Sequence, residues 1–245
     1  MRAVVFLFAI FGLVACTEPT PDTQRPGASQ IGFLRSTQAG IDNYFRVAGR
    51  VRPVAVQVCR QIHASRPASF CDFQVKVIRN PNQSPNAFQS IGRDGRPVIS
   101  FNVNLLRTVR NDDELAFIFG HEAGHQIARH LEQTRQNQIS GAILVGILVA
   151  TAGGDASLGA DIGAEIGGRS YSKAFELEAD TIGVHVADRA GYNVRVGVRT
   201  FDKQTGSSAL LATHPPSSER RARVERTIRQ IEAAKRSGRR AAITW

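Results

Sequence analysis

Cysteine is scarce in this chain of 245 residues: there are three, and none sits in a Cys-x-x-Cys pair, which argues against a thiolate metal site. Aromatic residues are also few, at 7%, and the arginines are spread along the chain without aromatic interleaving. The excess of 31 Lys and Arg over 21 Asp and Glu, +10 in all, therefore reads as a solvated basic surface suited to anionic lipid rather than as a nucleic-acid interface. Long apolar runs are missing too. The weakly polar stretches 3–15 and 139–152 are thirteen and fourteen residues, whereas a helix needs about 20 to cross a bilayer. No tetratricopeptide-like repeat is present. What remains, 42% hydrophobic and 21% charged, is ordinary globular composition for one catalytic-sized domain.

Met1-Arg2 followed by the apolar run 3–15 has the form of an export signal. Leu13-Val14-Ala15-Cys16 resembles the bacterial lipobox, which implies lipidation of Cys16 and a mature chain starting there; the alternative is an ordinary cleaved signal with an incidental Cys. Residues 16–30, with Pro19, Pro21 and Pro26, then form a flexible tether, and 31–245 the domain. Thr17, rather than Asp, after the Cys resembles the outer-membrane sorting pattern, so the expected location is the outer membrane, lipid-anchored and facing the periplasm. In that oxidising setting Cys59 and Cys71 are expected to pair, the alternative being two buried free thiols.

Helical spacing predicts two helices over 38–49 and 54–64, separated at Arg52-Pro53. Alternation at Phe73, Val75 and Val77 marks a strand, a second starts at Asn86-Ala87-Phe88, Gly92-Arg93-Asp94-Gly95 makes a hairpin turn, and 97–102 is a third. The expected result is a small antiparallel sheet. The strand 97–102 is either the sheet edge that pairs with an extended peptide or part of a closed core hairpin. Asn111 and Glu114 form a capping pair that starts a helix near Asp112 and carries it to about Arg135.

Inside that helix lies His121-Glu122-Ala123-Gly124-His125. Positions four apart stack on one helical face, so both imidazoles can reach one metal ion, with the Glu122 carboxylate beside the open position as general base. Leu115, Ala116, Phe117, Ile118, Phe119, Ala123, Ile127, Ala128 and Leu131 surround the motif and imply burial, and buried imidazoles require partners. A third ligand must come from elsewhere. Glu176 and Asp180 are four apart on a helix over 172–190 that ends at Gly191, while Glu178 points off that face. His63, His130 and His185 are read as structural or exposed.

His121-Glu122-x-x-His125 followed by Glu176-x-x-Ala179-Asp180 resembles the HtpX and CAAX-prenyl-protease type of gluzincin zinc metallopeptidase. Asn86-Ala87-Phe88, Asp113-Glu114-Leu115-Ala116 and His214-Pro215-Pro216-Ser217-Ser218-Glu219-Arg220 look like further landmarks, so the resemblance spans roughly residues 30 to 235. It implies an α+β, mainly helical zincin-type domain with the small sheet beside the His-Glu-x-x-His helix. It also implies one Zn2+ per chain held by His121, His125 and Glu176, with Glu122 as general base and acid and Asp180 orienting a ligand histidine. His214 would stabilise the oxyanion or cap the metal at rest, and Arg220 would support the site.

The implied activity is cleavage of misfolded or misassembled envelope proteins by a zinc endopeptidase. The rival is a non-proteolytic chaperone or assembly lipoprotein whose zinc site His214 closes. Partners are polypeptides and, through the N-terminal lipid, the membrane. The Gly-rich segment 139–168 is expected to be a packed helical hairpin, a cover over the cleft or an apolar contact patch. The C-terminal helix 218–236 places Val224, Ile228 and Ile231 on one docking face.

Overall fold

The computed structural model describes residues 35–137, 139–140, 171–202, 214 and 217–245. The export signal, Cys16 and the tether lie outside the described residues, as does the Gly-rich segment from 141 onward.

Helix α1, Thr37–Ile62, opens on Ser36, whose hydroxyl oxygen accepts from the Ala39 N–H. It is one helix of 26 residues rather than the two expected. Pro53 costs a backbone bond to the carbonyl of Gly49, but Gly49 is exposed and water can meet that oxygen. The buried stripe Ile41, Tyr44, Val47, Ala48, Val51, Ala55 and Val58 runs through the proline without losing register, and its burial offsets the lost bond. At its far end Cys59 is joined to Cys71 in a short 3-10 turn, Ala68–Cys71, with Cα atoms 5.6 Å apart.

Strands β1, Gln74–Ile78, β2, Ala87–Ile91, and β3, Pro97–Asn102, form one sheet in the order β1-β3-β2. β2 and β3 make the expected hairpin, with Gly95 at φ +77° in its turn. β1 instead lies parallel to β3, so the sheet is mixed rather than wholly antiparallel. The strand 97–102 is therefore not an edge. All six of its residues are buried, because it is paired on both sides, and Pro97 is tolerated as its first residue. Among the described residues the outer strands are β1 and β2.

Tyr44 ties the layers together: fully buried, it donates its hydroxyl proton to the Ile99 carbonyl at 2.9 Å and sets its ring 4.6 Å from Phe101 and 6.4 Å from Phe119. Short helix α2, Val103–Thr108, leads to α3, Asp112–Ile127. Helical backbone resumes at His130, and further along the described residues come α4, Lys173–Arg189, α5, Val194–Gly197, and α6, Ser218–Arg236. The α6 residues Val224, Ile228 and Ile231 are buried as the docking face requires. Among the described residues no helix is long and apolar enough to cross a membrane.

Candidate metal centre

Helix α3 begins where its cap pair places it. Asn111 Oδ1 accepts from the Glu114 N–H at 2.9 Å, and the Glu114 carboxylate reaches back to the Arg110 N–H at 3.0 Å and guanidinium at 2.6 Å. Every residue from Glu114 to Ile127 is buried, so α3 is the core helix and each polar side chain on it has to be partnered inside the protein.

The partner helix is α4, started by Ser172 Oγ accepting from the Phe175 N–H and ended before Gly191 at φ +85°. The two helices touch backbone to backbone. A Cβ on Gly120 would lie 2.7 Å from the Gly183 carbonyl oxygen, and one on Gly124 would lie 2.8 Å from that of Ala179. Because later residues of α3 meet earlier residues of α4, the pair runs antiparallel. The missing side chains bring His121 and His125 within reach of Glu176 and Asp180 across the seam.

His121, His125, Glu176 and His214 are all buried and each presents a donor atom, the four lying within 4.8 Å of one another. The Nε2 atoms of His121 and His125 are 3.1 Å apart, Glu176 Oε1 is 3.5 Å from His125 Nε2 and 2.9 Å from His214 Nδ1, and Glu176 Oε2 is 3.5 Å from His121 Nε2. His121 Nδ1 lies 2.9 Å from Asp180 Oδ1, and Arg220 grips Asp180 through two bonds of 2.7 Å. The same guanidinium donates to the His214 carbonyl at 2.7 Å and lies 3.1 Å from Glu176 Oε2. Helix α6 delivers Arg220 one turn past its cap, where Ser217 Oγ accepts from the Arg220 N–H. The structure thus brings together His121, Glu122, His125, Glu176, Asp180, His214 and Arg220, whereas Cys59 and Cys71 belong to the α1 disulfide.

A divalent cation fits these residues. Glu122 is fully buried and neither of its carboxylate oxygens has a hydrogen-bond partner among the described residues, while Glu176 Oε2 is met by the Arg220 guanidinium at 3.1 Å. Two imidazoles and a carboxylate are a catalytic zinc set. The electrostatics point the same way. Burial pulls the His121 pKa down, but the hydrogen bonds and charges of Asp180 and Glu176 win and lift it to about 9. Burial pushes the Glu176 carboxyl up, yet His121 and His214 hold it well below the usual carboxylate range. His125, with no direct acid against its Nδ1, is kept neutral by burial and by the charge of His121. The pocket favours positive charge, which a metal would supply in place of the proton.

Two contributors escaped the sequence reading. His130 was expected to be structural or exposed, and Glu178 to point away. His130 is fully buried, with Nδ1 2.9 Å from His125 Nδ1 and Nε2 3.1 Å from Glu178 Oε2. The chain reaches this arrangement because α3 stops at Ile127 and Arg129 turns through φ +62° before helical backbone resumes at His130. If His130 donates from Nε2 to Glu178, its Nδ1 accepts from His125, and the His125 Nε2 lone pair faces Glu176 and His121. Tyr171 closes the other side, its ring stacked on His125 at 4.1 Å and 17°. His63 is placed elsewhere, its Nε2 2.7 Å from the Ile127 carbonyl at the end of α3.

The family described as peptidase family M48 matches residues 47–228. The mitochondrial metalloendopeptidase OMA1 of Saccharomyces cerevisiae is 29% identical over 161 residues, covering 60% of this chain and 45% of the relative. That of Arabidopsis thaliana is 34% identical over 121 residues, covering 47% and 24%. The beta-barrel assembly-enhancing protease of Escherichia coli K12 is 30% identical over 145 residues, covering 55% and 29%. The matched stretches thus span about a quarter to a half of these relatives.

Proposed function

Because the chain belongs to peptidase family M48, we propose that it is a zinc-dependent endopeptidase acting on unfolded or misassembled polypeptides. The observation that carries this reading is the buried Glu122 carboxylate, without a hydrogen-bond partner among the described residues, standing against four convergent donors. His121, His125 and Glu176 would hold one zinc ion, which supplies a Lewis acid for a peptide carbonyl and a lowered pKa for water.

The remaining work falls to the protein. Glu122, held by no donor among the described residues, takes a proton from the attacking water and returns it to the leaving amide nitrogen. His214 Nε2 lies 3.6 Å from Glu122 Oε1, and its Nδ1 bonds to Glu176 at 2.9 Å. At rest His214 completes the donor set, and it is freed to meet the oxyanion when substrate enters. Asp180, held by Arg220, fixes the tautomer of His121, while Glu178 acts on His125 through His130. Substrate binds extended along β2, the outer strand that rests on α3 through Gln89 Nε2 donating to Gln126 Oε1 at 2.9 Å.

The proposed location is the bacterial envelope, with the chain anchored by lipid at Cys16 and facing the periplasm. The support is Leu13-Val14-Ala15-Cys16 after an apolar run, together with the similarity to the beta-barrel assembly-enhancing protease of E. coli. One specific observation favours the chaperone alternative: the fourth donor is a protein side chain, His214, and a permanently closed site would not turn over.

Cleavage of casein decides between the two. The purified protein is expected to cut it, to lose activity on treatment with a zinc chelator and to regain it with one equivalent of zinc. A zinc-loaded protein that never cleaves supports the closed site. The relay makes a separate prediction: His130→Ala and Glu178→Gln should each weaken zinc about 10- to 100-fold in chelator competition. Unchanged affinity would reduce the two residues to packing.

A further inference from the structure

Helix α4 carries the site on its first turns and a second, unrelated feature at its other end. Arg189 lies nine residues beyond Asp180, about 14 Å along the axis. There α4 and α6 both terminate, and a cavity of about 210 Å³ opens between them and the C-terminal segment, lined by His185, Asp188, Arg189, Lys235, Arg239 and Arg240. Four cations face one carboxylate.

Cations are welcome at helix C-termini, and this accounts for part of the cluster. Arg189 donates to the Ala241 carbonyl at 3.0 Å, and Lys235 Nζ pairs with Asp188 Oδ1 at 2.5 Å. It does not account for the rest. Arg189 Nε is buried and has no hydrogen-bond partner, and no carboxylate pairs with Arg239 or Arg240 among the described residues. Arg239 spends its Nε on the Ser237 hydroxyl at 3.1 Å. His185, only 3% exposed, turns into the same cavity. Burial, and then the charge of Arg240, lowers the Arg189 pKa, as expected where positive charge lacks a counter-ion. His185 is pushed down to about 4 by burial and Arg189, so at neutral pH it is an uncharged donor and acceptor.

We propose that this cavity is a binding site for a phosphate group, taken by the guanidinium groups of Arg189, Arg239 and Arg240, with His185 among the lining residues. Guanidinium forks match phosphate oxygens in geometry, and the volume holds a phosphate with water around it. The site is independent of the metal centre and of the proteolytic reading. Free phosphate and a phospholipid headgroup share the required chemistry.

Calorimetry on the zinc-loaded chain at low ionic strength tests it, with inorganic phosphate in one arm and monomeric dihexanoyl phosphatidylglycerol in the other, against dihexanoyl phosphatidylcholine. Saturable binding is expected in at least one of the first two arms, and the arm that binds identifies the source. Arg240→Gln, which removes no bond among the described residues, should weaken that binding about tenfold. Arg226→Gln changes the net charge equally at an exposed position outside the cavity and should leave it unchanged. Arg189→Gln should reproduce the loss, with circular dichroism confirming its fold. Absence of binding in both arms, or equal weakening by Arg226→Gln, overturns the proposal.

Discussion

Glu122→Gln is expected to lower casein cleavage by at least about 100-fold while leaving bound zinc and thermal stability close to the parent values. The size follows from the site. The carboxylate is fully buried, accepts no hydrogen bond among the described residues and faces the donor cluster, so no described neighbour is placed to take over its proton transfer. The stability expectation follows from the same fact. An amide of equal shape does not break an ion pair that the fold relies on, since the nearest cationic candidate, His214 Nε2, is 3.6 Å away. Metal analysis and a melting curve on the purified variant separate lost chemistry from lost structure. Cleavage at the parent rate with full zinc would remove Glu122 from the reaction.

Arg220→Met should cost about 3–5 kcal/mol of stability and lower the melting temperature by roughly 10 °C. Arg220 is 3% exposed and, among the described residues, joins the Asp180 carboxylate, the Glu176 carboxylate and the His214 carbonyl. Removing the guanidinium strands two buried carboxylates, and their mutual repulsion acts where His121 must be held. Zinc affinity should fall with stability, and added zinc should recover part of the lost melting temperature. Arg226→Met, at an exposed position, should change stability by no more than about 0.5 kcal/mol. Equal effects from the two substitutions would mean that net charge, not the buried network, sets the stability.

The parts of this site that could be read in the sequence are those governed by local rules. The Asn111 and Glu114 cap, the four-residue spacing of His121 and His125, and that of Glu176 and Asp180 follow from helix geometry and need no knowledge of the fold. That Glu176 belongs with the histidines, and that His214 and Arg220 come near, was reached only through family resemblance, because the contacts join segments 38 to 93 residues apart.

What local rules missed were places where packing overrode them. Pro53 ends a helix by propensity, yet α1 continues because its buried stripe lies against the core. Alternation identifies a strand but not its neighbours, so β3 was open to reading as an edge when β1 occupies its other side. His130, five residues past His125, is off that residue's helical face. Only the left-handed turn at Arg129 brings it back, and no feature of the sequence marks an arginine for that conformation. Gly120 beside the motif and Gly124 within it are plain in the sequence, but their use as a seam depends on Gly183 and Ala179 opposite.

Anomalous diffraction at the zinc edge from crystals of the metal-loaded protein is the most direct measurement. The account predicts a single strong peak on the α3–α4 seam, bonded to His121, His125 and Glu176 together. A peak bonded to other residues, or none at full zinc occupancy in solution, would contradict it.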